Sequence, residues 1–95
     1  MFVVFLKFAE NKAKASELMD DHNAWIKRGF DDEVFLLVGS LQPGLGGAIV
    51  AQAASLEDLD SRVNEDPFVE HGVVSAEIHE ISPARADPRL EFLLT

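Results

Sequence analysis

The stretch that decides the fold lies at the N-terminus and reads Phe2-Val3-Val4-Phe5-Leu6-Lys7-Phe8. It is rich in β-branched and aromatic residues, and apolar side chains occupy both alternating positions. In a strand, residues 2, 4 and 6 share one face, whereas residues 3 and 5 share the other. The pattern therefore predicts a strand that is covered on both sides.

Downstream of this strand, the apolar spacing predicts two helices and three further strands. The first helix covers residues 11–29 and ends at Gly29, while the second opens at Ser55 with a capping-box-like pattern and is closed by Pro67. The predicted strands cover residues 33–39, which we expect to be central in the sheet, 48–54 and 73–81. This β-α-β-β-α-β order is the ferredoxin-like arrangement of an α+β protein with an antiparallel sheet.

The apolar faces of the first two strands exceed what two helices can cover. Two helices cover one face of a four-stranded sheet, and the other face would form a large apolar patch in water, which soluble monomers rarely tolerate. We therefore expect a homodimer in which two sheets face each other. The tail over residues 83–95 ends in an apolar segment, and it packs either on its own domain or on the dimer partner.

Composition narrows the class of protein. The formal charge is −9, from 17 acidic and 8 basic residues, and the basic residues are scattered, which argues against nucleic acid and anionic membranes as partners. The chain has no cysteine, so thiolate chemistry and cysteine-based metal sites are excluded. The N-terminal apolar run is too short to span a bilayer, and we expect a cytoplasmic protein.

Two residues form the constellation best suited to chemistry, His22 on the apolar stripe of the first helix and Asp66 before Pro67. An imidazole oriented by a carboxylate serves as a general acid and base near neutral pH. His22 also has a plain interpretation as a core histidine, and Asp66 as a residue that caps or tightens a turn. Both interpretations remain open for each residue.

Several motifs together resemble the YciI-like (YCII-related) family within the dimeric α+β barrel superfamily. They are the first strand, His22, Gly39-Ser40-Leu41, Gly46-Gly47, Ser55-Leu56-Glu57, and Asp66-Pro67-Phe68-Val69 followed by Gly72. The resemblance covers residues 1–82. It implies a ferredoxin-like dimer with a cleft in each subunit lined by the His22–Asp66 pair. Many members have an arginine where this chain has Met19, so an anion-binding role does not carry over to that position.

The resemblance implies an enzyme-like protein for small organic molecules. One branch is associated with dehydrochlorination of a chlorinated hydroxyquinol, and muconolactone isomerases belong to the wider superfamily. We therefore expect a lyase or isomerase that needs no cofactor and no metal, with His22 and Asp66 as the dyad and Trp25, Ser40 and Phe68 in the pocket. The alternatives are a small-ligand-binding or accessory dimer without turnover, and a simple dimerising module.

Trp25 also fits an ordinary core position, and Ser40 fits a turn. His71 and His79 are expected to be solvated. A metal site built from these two and His22 has no recognised ligand spacing.

Overall fold

The computed structural model describes residues 1–94 and has the predicted ferredoxin-like α+β architecture. Its elements are β1 (Phe2–Phe8), α1 (Ala15–Asp31), β2 (Phe35–Leu41), β3 (Gly46–Ala51), α2 (Leu56–Asn64), the short helix α3 (Pro67–Glu70) and β4 (Val74–Glu80). Two 3-10 segments, Lys12–Lys14 and Pro88–Leu94, precede α1 and follow β4. The sheet order is β2-β3-β1-β4, and every neighbouring pair is antiparallel.

The helices cover one face of this sheet, and the core lies between the helices and that face. On β1 this helix-side face carries Phe2, Val4 and Leu6, all of which are buried. Gly29 allows α1 to approach the sheet closely, because a Cβ at this position would collide with the ring of Phe35 on β2. Glycine therefore sets the distance between the first helix and the sheet.

The opposite side of the sheet, which we call the outer face, is partly apolar. Strand alternation and register place here Val3, Phe5 and Lys7 from β1, Leu37 and Leu41 from β2, Ala48 and Val50 from β3, and Ser75, Glu77 and His79 from β4. Leu37 is 57% exposed. Lys7 Nζ donates a hydrogen bond of 3.0 Å to Glu77 Oε1, and this contact lowers the pKa of the Glu77 carboxyl.

Three local predictions were wrong. β2 is an edge strand and not a central one, because apolarity on both faces reports the layers above and below a strand and not its lateral neighbours. α1 continues past Gly29 to Asp31, since that glycine serves close packing and does not end the helix. α2 ends at Asn64, and Pro67 begins α3, because the ring of proline fits the first turn of a helix.

Ser55 caps α2 as predicted, with its Oγ accepting the backbone N–H of Asp58 at 3.1 Å. The C-terminal segment lies against the end of the sheet, where Leu93 is buried at 8% exposure. Leu93 borders a groove of about 630 Å³ together with Met1 and Ile81. Within residues 1–94, no helix is long and apolar enough to cross a membrane.

Candidate functional site

His22 lies on the middle turns of α1 and points toward the segment between α2 and β4. Its side chain is only 12% exposed. The imidazole stacks in parallel on the Phe68 ring, with 3.9 Å between the ring centroids and 3° between the planes. The indole of Trp25, one turn further along α1, lies at 5.9 Å and is inclined by 24°. Aromatic contacts therefore hold the imidazole plane in one orientation.

Asp66 occupies the bend between α2 and α3, where its local sequence determines the backbone. The residue before a proline favours an extended conformation, and Asp66 has φ −63° and ψ 123°. It is thereby the N-cap of α3, and its Oδ1 accepts the backbone N–H of Phe68 at 3.0 Å. The side chain is fully buried. The sequence-based interpretation of Asp66 as a capping residue is thus correct.

The same carboxylate oxygen contacts the histidine. His22 Nδ1 and Asp66 Oδ1 are 2.7 Å apart, although 44 residues separate them in the chain. An ionised carboxylate oxygen only accepts hydrogen bonds, so the proton in this contact belongs to Nδ1, and His22 donates. In the neutral imidazole this leaves Nε2 with its lone pair, which is the arrangement that a general base requires.

The other oxygen of Asp66 is unpaired within the described part of the chain. Among residues 1–94, no donor lies within hydrogen-bonding distance of Asp66 Oδ2, and the atom is buried. An unpaired buried carboxylate oxygen is costly, and a positive charge on the neighbouring imidazole offsets part of that cost. A proton accepted by His22 would therefore place a positive charge against a buried carboxylate.

His22 and Phe68 line a cleft of about 320 Å³ between α1 and the helix-side face of the sheet. Its walls are mostly apolar or backbone. The lining residues are Leu6, Phe8, Met19, His22, Asn23, Ile26, Val38, Gly39, Ser40, Gly46, Gly47, Ala48, Ile49, Phe68 and Val74. Ser40 reaches the cleft from β2, opposite α1. A mostly apolar cleft with a few polar groups is the usual form of a small-molecule site.

Trp25 takes a different position from the one expected. It is 1% exposed, packs edge-on against Phe35, and donates from Nε1 to the carbonyl oxygen of Arg62 at 2.9 Å. It supports the His22 ring from the core side and does not line the cleft. Its role is therefore one of packing and orientation.

Sequence reasoning missed Gly47 as a contributor to the cleft. Gly47 pairs with Ser40 on β2 and with Leu6 on β1, so a side chain at 47 would point toward the helices. An added Cβ would meet only the Gly39 carbonyl oxygen, at 3.4 Å, so the position is open. Its cross-strand pairing with Ser40, which the order of the strands implies, is the signal that could have revealed it.

The other two histidines do not line this cleft. His71 is exposed after α3, and His79 is on the outer face, with Nε2 at 3.6 Å from Glu77 Oε2. No group of three His, Cys, Asp or Glu residues within residues 1–94 is arranged to hold a metal ion. The larger groove beside the C-terminal segment contains neither His22 nor Ser40, so the smaller cleft is the better candidate.

Comparison with known proteins identifies one family and one informative structure. The sequence profile described as "YCII-related domain" matches residues 1–82. The chain is similar in structure to 5-chloro-2-hydroxyhydroquinone dehydrochlorinase (TftG) from Burkholderia phenoliruptrix AC1100, solved in complex with 2,5-dihydroxybenzoquinone. The TM-score is 0.70 at 14% identity, over 85% of this chain and 93% of that one, so the likeness concerns the fold. No curated protein sequence matches the chain.

Proposed function

The chain belongs to the YCII-related domain family, and on this basis we propose that it is a lyase or isomerase that acts on a small organic molecule without a cofactor. The observation that carries the proposal is the 2.7 Å contact of His22 Nδ1 with Asp66 Oδ1 beside an apolar cleft. His22 is the general acid and base, and Asp66 orients it.

The chemistry follows from the hydrogen bonds of the pair. Asp66 holds the proton on Nδ1, so Nε2 of the neutral ring takes a proton from a carbon or hydroxyl of the substrate. The resulting imidazolium is stabilised by the buried carboxylate and by the face of the Phe68 ring. The ring then returns the proton, either to another atom of the substrate or to water.

Both reaction types use this same cycle. In an elimination, the electrons of the broken bond to hydrogen form a new double bond, chloride leaves with its bonding pair, and the proton passes from His22 to water. In an isomerisation, the proton returns to a different carbon and nothing is released. The fold likeness to a dehydrochlorinase supports the first type.

We also propose that the working unit is a homodimer formed through the outer face. Leu37 is 57% exposed there, beside the partly buried Val3 and Phe5. At ~25 cal/mol per Å², covering several hundred Å² of such surface favours association by many kcal/mol before its entropic cost. Leu37→Asp should yield a monomer at micromolar concentration in sedimentation. A wild-type protein that sediments as a monomer would contradict the dimer.

A ligand-binding protein without turnover is the second candidate. Among the described residues that line the cleft, His22 is the one side chain suited to act as both general acid and general base. One group must therefore both remove and return the proton, and a mostly apolar cleft with few polar side chains also suits simple binding.

The proposed function is best tested through proton abstraction, because this step can be measured without knowing the natural substrate or its product. The protein is incubated in D₂O with a panel of chlorinated hydroxyhydroquinones and unsaturated lactones, and deuterium incorporation and chloride release are measured. We expect activity on a panel member that falls by about 10²–10⁴-fold in His22→Gln. Ser55→Ala, which alters an exposed helix cap, should retain full activity. Cleft binding without exchange or release would favour the second candidate, and equal rates in His22→Gln would refute the dyad.

A further inference from the structure

The electrostatics of the cleft restrict the ligand further. We propose that this cleft selects an uncharged, ring-sized ligand over its carboxylate counterpart, and that Met19 is the residue that sets this choice. The inference rests on the proposed function, because it assumes that the cleft beside His22 is the small-molecule site.

Apart from His22, the cleft wall carries no basic or acidic side chain in the part of the chain that the structure describes. Its polar side chains are His22, Asn23 and Ser40, and the remaining lining is apolar side chain or glycine. An anion that enters such a cleft loses water without gaining an opposite charge, which is strongly unfavourable. A neutral ligand needs only hydrogen bonds, and His22 on α1 and Ser40 on β2 offer them from opposite walls.

The charges around the cleft also oppose an anion. Asp66 lies directly behind His22, in a chain of net charge −9. The positive charge that His22 can acquire faces the Asp66 carboxylate at 2.7 Å. A ligand carboxylate would therefore compete with Asp66 for the imidazolium.

One lysine, Lys12, contacts a residue of the cleft wall but does not itself line the cleft. Lys12 Nζ lies over the ring of Phe8, 4.4 Å from its centroid. Phe8 lines the cleft, whereas Lys12 does not. Lys12 therefore covers the outside of this aromatic wall and does not supply a charge to the interior.

Met19 occupies the position from which a positive charge would reach the ligand. It precedes His22 by three residues on α1, so the two side chains share one face of the helix. Met19 lines the cleft and is 41% exposed, which leaves room for a longer polar side chain. An arginine there would present a planar donor group suited to a carboxylate. Methionine instead gives the cleft an apolar and adaptable wall.

Size and charge together favour one of the two reaction types. A cleft of about 320 Å³ is at the small end of ligand sites and suits a single ring with polar groups at its two ends. Elimination from an uncharged ring fits this description. Isomerisation of a lactone that carries a carboxylate does not, since that group would have no partner.

The test uses two probes that differ only in charge, 4-hydroxybenzamide and 4-hydroxybenzoate. Binding is followed by NMR shifts of Ser40, Ile26 and the His22 ring during titration of the full-length protein. We expect the amide to bind at least about tenfold more tightly than the carboxylate. Met19→Arg should reverse this preference, whereas Met19→Leu and Lys12→Met should leave it unchanged.

The outcomes separate the inference from the proposed function. Equal or tighter binding of the carboxylate by the wild type would refute the selection for neutral ligands, while the cleft would remain a small-molecule site. A preference that Met19→Arg leaves unchanged would refute the role of Met19. If neither probe moved the signals of the cleft residues, the inference and the assignment of the site would both fall.

Discussion

The contact between His22 and Asp66 makes a quantitative prediction about stability. Asp66 Oδ1 accepts two hydrogen bonds, one from His22 Nδ1 and one from the Phe68 backbone, and the two contributions can be separated by substitution. Asp66→Ser keeps a good helix-capping residue but has a shorter side chain that withdraws from His22. Asp66→Ala removes both bonds.

The expected costs follow from the character of each bond. A hydrogen bond to a charged group contributes ~1.5–3 kcal/mol, so Asp66→Ser should lower the free energy of unfolding by that amount. Asp66→Ala should cost about 1 kcal/mol more, because α3 also loses its cap. Ser55→Ala removes the matching cap of α2 without touching His22, and it should cost only this last ~1 kcal/mol.

The assay is a double-mutant cycle of His22→Leu with Asp66→Ser, measured by urea denaturation at one fixed protein concentration. We expect a coupling energy of ~1.5–3 kcal/mol between the two positions. A coupling energy below ~0.5 kcal/mol, which is the usual error of additivity, would refute a specific interaction. Equal stabilities of Asp66→Ser and Asp66→Ala would refute the capping role.

Three further predictions concern other parts of the molecule. Gly47→Ala and then Gly47→Val should fill the cleft progressively, so that probe binding followed by NMR weakens in that order while the protein stays folded; unchanged binding would show that the ligand lies elsewhere. Lys7→Gln should raise the pKa of Glu77 toward its ordinary value of 4.5, because Lys7 is the main cause of the lowering. A lowered carboxyl pKa stabilises the fold at pH values above it, so the stabilisation by the Lys7–Glu77 contact disappears as the pH falls through the pKa of Glu77. NMR titration of the carboxyl groups measures this pKa, and an unchanged value in Lys7→Gln would contradict the prediction. Leu93→Ala should destabilise the protein by about 2 kcal/mol in urea denaturation, because Leu93 is buried at the end of the sheet; no change would mean that the C-terminal segment contributes nothing to stability.

The sequence predicts the order of the elements better than their limits. The alternation in β1 and the stripe through His22 and Trp25 depend on period alone, and both persist in the structure. The edge position of β2 was not predicted, because the sequence of a strand does not indicate which strands pair with it on either side. The end of α1 was predicted wrongly because Gly29 is required by the nearby ring of Phe35 and not by the end of the helix. This close approach forms only when the chain folds.

The candidate site was likewise predicted only in part from the sequence. His22 and Asp66 stand out as residue types with a chemical use, and the fold brings their side chains together. The double engagement of Asp66 Oδ1 was not predictable, since capping and orientation appeared as competing interpretations of one residue. Trp25 was predicted to line the pocket because it shares the apolar stripe of α1 with His22. The stripe alone does not distinguish residues that face the core from residues that face the cleft.

The missing side chain at Gly47 has a genetic consequence. Every glycine codon lies one base away from an alanine codon and from a valine codon, so the capacity of the cleft can shrink in a single mutational step. The same position reaches an acidic residue in one step as well, which would place a carboxylate against Ser40. A lineage carrying this fold can therefore change the size and polarity of the ligand it accepts without passing through a disrupted sheet.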